Sequence, residues 1–277
     1  TKVIIMKKAK RFLLIPLLFF LCFALTACGK RNNQNVYQKV RENKQIIWGV
    51  RADTRLFGLT NVKTGKIEGF EIDLAHALTK QMLGKDATAS FVTTTANTRI
   101  PLLKNGNIDA VLATMTITPE RAKQVDFSKP YFPAGSSLLV PDNSKIKSVK
   151  DLNGKTVLAV KGTTAVDDVH KFAPKARVLQ YDDYGQAMSA LKANQGVALT
   201  TDNGLLAGIA QENPGYKLVG GVYNNAPYGI AVNKGQKDMV DHINKALDQL
   251  EKNGTYDRLI KKWFAGIPGF SLKGVLK

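Results

Sequence analysis

Residues 108–121 read IDAVLATMTITPER, and the reading of this stretch decides the fold. Apart from Asp109, IDAVLA (108–113) is apolar, as expected of a strand buried on both faces. From Thr114 the chain turns hydroxylic, and at Pro119 it turns helical. Thr118 fits a helix N-cap, and Pro119 fits the first helical position, where a missing N–H costs nothing. Arg121 follows as a forked, permanent cation suited to a carboxylate. Taken alone, the segment is either a capped helix with a surface arginine or a seat for a small anion at a helix N-terminus.

The same transition recurs along the chain. Apolar strands give way to Arg51 and Asp53, to Thr114–Thr118, to Lys161–Thr164 and to Thr201 and Asp202. Ligands of open parallel sheets bind outside the carboxyl ends of strands, so four such edges predict one converging small-ligand site. Asp202 reads two ways: as a cap for the helix NGLLAGIA, or as an ammonium acceptor opposite Arg121. Thr163 and Thr164, in KGTTA, add a second helix N-terminus with hydroxyls.

Between these edges, short apolar runs alternate with helical stretches, which predicts α/β layers with a largely parallel sheet. IIWGV (46–50), IDAVLA, SSLLV (136–140), the run 156–160, RVLQY, VALTT, KLVGG and YGIAVN read as strands. Leu74, Ala75, Leu78 and Met82 mark a helix over 69–84 that stops at Gly84. MVDHINKALDQLEKNG and TYDRLIKKWF read as two amphipathic helices.

Residues 1–27 are set apart. A basic flank precedes the uncharged run FLLIPLLFFLCFALTA (12–27), which is shorter than the ~20 residues a spanning helix needs and fits an export signal. The run ends at LTAC, which resembles a bacterial lipobox with Cys28 as the lipidated (palmitate-bearing) first mature residue; Met6 is then a candidate start. Residues 28–44 are polar and read as a flexible tether. Cys22 and Cys28 are the only cysteines, so the remainder has no thiol for a disulfide, metal or nucleophile.

Of the net charge of +18, five charges fall in residues 1–27, leaving +13 for 28–277. Such a surface attracts polyanions. However, the chain has no zinc-ligand pairs, RNA-binding strand or long basic helix, and no nucleic-acid partner is expected. His76, His170 and His242 do not cluster, and no Ser-His-Asp order, Walker loop or paired carboxylates occur. The expectation is therefore no catalysis, cofactor or metal.

GFEIDLA, IDAVLATMTITPERAKQVDFSKPYF, LNGKTVLAVKGTT, YGIAVNKG and NGTYDRLIKKWF occur in this order. Together they resemble the polar amino-acid branch of the solute-binding proteins of bacterial ABC importers, over about 45–266. The resemblance implies a periplasmic-binding-protein type II clamshell: two lobes, each a mainly parallel sheet flanked by helices, joined by two crossing segments. Lobe 1 would comprise 45–131 and 229–277, and lobe 2 would comprise 132–228.

It further implies that Arg121 and Thr116 take an amino acid's α-carboxylate, with Thr163 and Thr164 approaching from lobe 2. Asp202 and Thr114 would take the ammonium, and Met115 lies in the same segment. Members preferring acidic ligands look similar in having a basic residue after the first strand and an arginine in TR-x-P-L-L, here Arg51 and Arg99. Two extra cations favour an anionic or strongly polar side chain. Asp53 is positioned to pair with either and reduce that charge. Many relatives place a stacking aromatic where this chain has Ala96 or Asn97, and Phe57 is the candidate replacement.

Glutamate, aspartate and their amides are favoured ligands, with cystine as an alternative. The expected partners are the free amino acid, an ABC permease, and the membrane through the lipid, with the protein a monomer on the outer face. A surface adhesin for mucin, collagen or acidic wall polymers is the competing reading and is compatible with transport. An enzyme on this scaffold is a third.

Overall fold

The computed structural model describes residues 35–277, so the expected signal and Cys28 lie outside the described residues. Helix α1 spans Val36–Asn43, within the expected tether. It is instead docked. Val40 is fully buried, the Val36 N–H donates to Gln236 Oε1 (2.8 Å), Lys39 pairs with Asp109 (2.8 Å), and Tyr37 stacks on His242. Only Val36, Tyr37 and Val40 supply an apolar face, too few for a period to show in sequence, and their partners lie far along the chain.

Strands β1 (Gln45–Val50), β2 (Asp53–Thr54), β3 (Gly58–Thr60) and β4 (Ile67–Glu68) lead to α2 (Phe70–Leu83). Then come β5 (Thr88–Thr93), α3 (Arg99–Lys104), β6 (Ala110–Val111), α4 (Pro119–Ala122) and β7 (Val125–Phe132). Next are β8 (Ser136–Pro141), β9 (Thr156–Val160), α5 (Ala165–Phe172), β10 (Arg177–Tyr181) and α6 (Tyr184–Lys192). The chain continues with β11 (Ala198–Asp202), α7 (Asn203–Glu212), β12 (Tyr216–Val219) and β13 (Tyr228–Asn233), and closes with α8 (Lys237–Lys252) and α9 (Thr255–Phe264).

Two five-stranded sheets result, ordered β5-β1-β6-β13-β7 and β10-β9-β11-β8-β12. Each has two parallel pairings around β1 or β9 and two antiparallel pairings around β13 or β8. Each sheet is therefore mixed, where the apolar runs suggested a mainly parallel one. The antiparallel strands are those the chain enters as it changes sheet, and a strand buried on both faces reads the same in either direction. The segment 53–68 adds a small β2-β3-β4 sheet that its polar sequence did not announce.

The chain passes between sheets twice, through 133–135 and 220–227, as expected of a two-lobed clamshell. The two passages are bonded to each other: the Ala226 N–H donates to the Ala134 carbonyl (2.8 Å) and the Ser136 N–H to Asn224 Oδ1 (2.6 Å). Gly135 is required there, because a Cβ would lie 2.4 Å from the Asn224 carbonyl oxygen. Phe132 and Tyr228, beside the passages, are buried against Phe57, and Phe132 also packs on Phe264 and Phe270. Phe57 is thus a core residue, which accounts for it without a ligand.

Candidate functional site

The carboxyl ends of β1, β6, β9 and β11 border one cleft. Its walls are formed by Arg51, Ala96, Arg99, Thr114, Thr116, Arg121, Thr163, Thr164, Tyr184, Thr201 and Asp202. Eight of the ten residues singled out in the sequence line it; Asp53 and Met115 do not. The Met115 side chain turns into the core, fully buried beside Val111, Ala113 and Val125. Asp53 is bonded to the Arg51 guanidinium.

The TITPER turn forms as its residues dictate. Thr118 caps α4, accepting from the Arg121 N–H (3.2 Å), with Pro119 at the first position. That helix is a single turn, so its dipole offers an anion little. The positive charge comes from Arg121 itself. Its Nη1 donates to the Thr116 carbonyl (2.7 Å) and its Nη2 to the Gly162 carbonyl (3.0 Å) of the loop after β9. Burial lowers its pKa, and Asp202 and Asp167 oppose that.

Asp202 occupies the N-cap position of α7, but its side chain makes no cap hydrogen bond. Its Oδ2 accepts from the Tyr228 hydroxyl (2.7 Å). Burial pushes this carboxyl up to about 6, with the Tyr228 bond acting the other way. A capping carboxylate would be tied to its own helix; this one faces the cleft.

The remaining cations are already engaged. Arg51 forks onto Asp53 through Nε (2.8 Å) and Nη2 (2.6 Å) and lies over the Tyr184 ring. Burial opposes its charge, yet the Asp53 carboxylate more than compensates and holds its pKa above the ordinary value. Arg99 is buried and donates through Nη1 to the carbonyls of Ala113 (2.7 Å) and Thr114 (3.4 Å). Burial, then the Arg121 and Arg51 charges, lower it to about 9, so it remains a cation at neutral pH.

Thr163 donates its hydroxyl to the Val160 carbonyl (2.6 Å), while Thr164 borders the cleft without capping α5. Tyr184 and Tyr228 were not anticipated as site residues. Tyr184 and Thr201 bond to each other (2.9 Å) at the cleft wall. Thr201 had been visible as a strand end, whereas the tyrosines read as ordinary apolar positions. Among the described residues no group of His, Cys, Asp or Glu is arranged to hold a metal.

A mixed α/β clamshell with a cation and a buried carboxylate in one small cleft has the make-up of a solute-binding protein. Residues 46–266 match the model of the bacterial extracellular solute-binding proteins, family 3, and the chain belongs to that family. It is 47% identical to the ABC transporter glutamine-binding protein GlnH of Bacillus subtilis, over 95% of this chain and 99% of that one. It is 49% identical to a glutamine-binding protein of Geobacillus stearothermophilus, over 74% and 78%. Among solved structures, an ancestral arginine-binding protein bound to glutamine aligns with a TM-score of 0.75 at 41% identity, covering 80% of this chain and 98% of that one. The cysteine-binding protein of Campylobacter jejuni aligns at 0.78 and 32%, covering 84% and 94%.

Proposed function

We propose that this protein captures free L-glutamine outside the cell and delivers it to an ABC permease. The observation that carries the reading is Asp202, a carboxylate at a helix cap position that faces the cleft of Arg121 instead of capping. Arg121, with Thr116 and Thr164, takes the α-carboxylate, and Asp202, with Thr114, takes the α-ammonium.

The far end of the cleft favours an amide over a second carboxylate. Arg51 is forked onto Asp53 and keeps no free bidentate edge, while Arg99 commits only Nη1, to two carbonyls. With Asp53 neutralising Arg51, a neutral amide suits this end better than a second carboxylate. A cationic ligand such as arginine would meet three arginines and a single lining carboxylate. The names of the two glutamine-binding relatives support the same choice. The test is calorimetric titration of the purified protein with each of the twenty amino acids and cystine. Saturable heat with glutamine, and at least tenfold weaker binding of glutamate and arginine, is expected; no saturable heat with any of them would sink the proposal.

The membrane attachment proposed is lipid on Cys28, supported by the LTAC sequence that follows the uncharged run. Mass spectrometry of the cell-associated protein should find Cys28 acylated, and a free thiol there would rule this out. A second reading, adhesion to mucin, collagen or anionic wall polymers, draws on one surface feature. Exposed Lys145, Lys147, Lys150, Lys155, Lys175 and Arg177 cluster in sequence around the starts of β9 and β10, the ends remote from the cleft, and form no ion pair among the described residues. It predicts polymer binding that weakens as salt rises and survives Arg121→Ala; binding indifferent to salt would refute it.

A further inference from the structure

Glu71, in the first turn of α2, is a fully buried carboxylate that the clamp described above does not use. Its Oε1 accepts from the Thr114 N–H (2.7 Å) and from the Tyr131 hydroxyl. Thr114 is the cleft residue with a left-handed backbone, φ +45°, a region that a β-branched side chain rarely occupies. Such a conformation costs ~1–3 kcal/mol and persists only where its surroundings impose it. Glu71 holds the Thr114 amide from one side. Arg99 holds the Ala113 and Thr114 carbonyls from the other.

We infer that Glu71 is a positioning residue for ligand binding, acting through Thr114. By fixing the Thr114 amide inward it keeps the left-handed turn, and the turn presents Thr114 to the cleft and carries the chain on to Thr116. Without that acceptor, the Thr114 N–H has no partner in the core and the turn is free to relax toward an ordinary β conformation. Ligand would then bind only the fraction of molecules that retain the turn, and its apparent affinity would fall by that fraction. Tyr131, Arg51 and Arg99 are the titratable and charged groups facing Glu71, and its charge acts on both arginines. The alternative role to exclude is thus electrostatic.

The inference rests on the glutamine reading for its ligand, and two conservative variants separate geometry from charge. Glu71→Gln keeps an oxygen within reach of Thr114 and Tyr131 and removes the charge. Glu71→Asp keeps the charge but is one methylene too short to hold the same bonds. Glutamine affinity is expected to stay within about threefold in Glu71→Gln and to fall about 10–100-fold in Glu71→Asp. Amide hydrogen exchange of a peptide covering 112–117 in ligand-free protein gives a readout independent of any ligand. Exchange at Thr114 should be as slow in Glu71→Gln as in the parent, and faster in Glu71→Asp. Reversal of the affinity order, or Thr114 exchange unchanged in Glu71→Asp, would overturn the positioning role. A parent protein that binds no amino acid would instead overturn the proposed function, with the exchange measurement still deciding the role of Glu71 in holding Thr114.

Discussion

Asp202 is held above the ordinary carboxylate range mainly by burial, and its ionised form is the one that accepts an ammonium. Glutamine affinity should therefore be flat above about pH 7 and fall as pH drops through about 6, by up to about tenfold per unit. Titrations at pH 8, 6 and 5 check this, and affinity that rises on acidification would contradict it. Ligand-free stability has the opposite trend. Asp202 near 6 and Glu71 near 7 both bind protons more tightly folded than unfolded, so stability is lost as pH rises through these values. The Glu71 shift alone, from 4.5 to about 7, corresponds to ~3 kcal/mol. Thermal unfolding without ligand should thus have a higher midpoint at pH 5 than at pH 8; a higher midpoint at pH 8 would contradict the burial of these two acids.

Among the elements, α1 and the loop after β9 make separable predictions. Because α1 is docked on the folded body with Val40 buried, Val40→Ala should destabilise the protein by ~1–3 kcal/mol, read as a lower denaturation midpoint with glutamine affinity unchanged. A tether would show no change. In the loop after β9, Gly162 has φ +73° and would bring a Cβ within 2.2 Å of Asn97 Oδ1, a residue reached through the other sheet. Gly154 has nearly the same φ, +75°, with nothing within 4 Å. Alanine at either position should cost a similar ~1 kcal/mol of stability, while only Gly162→Ala weakens glutamine binding, by about tenfold. Equal affinities for the two variants would mean that the Gly162–Asn97 approach has no part in binding.

In the whole molecule, the parts legible in sequence are those written locally. IDAVLATMTITPER declares a strand, its end, a cap and a cation within fourteen residues, and each of these features forms. The four hydroxylic or charged strand ends likewise meet at one cleft, because parallel strands carry their carboxyl ends to the same edge. What was not legible depends on partners distant along the chain. Glu71 reaches across to Thr114, α1 docks on α8, and β13 returns antiparallel between β6 and β7. None of these leaves a periodic or spacing signal. The dipole at α4 was overread for a related reason: sequence marks where a helix starts more clearly than where it stops, and this one stops after a turn.

The account turns on Arg121 and Asp202 gripping the two ends of one zwitterion. The most direct test is calorimetric measurement of glutamine affinity in Arg121→Ala and Asp202→Asn beside the parent protein, with folding verified by circular dichroism. Removing one partner of a largely desolvated charged contact costs ~3–5 kcal/mol, so each variant should bind at least about 100-fold more weakly while remaining folded. Glutamine binding that survives Arg121→Ala within a few-fold would contradict the account.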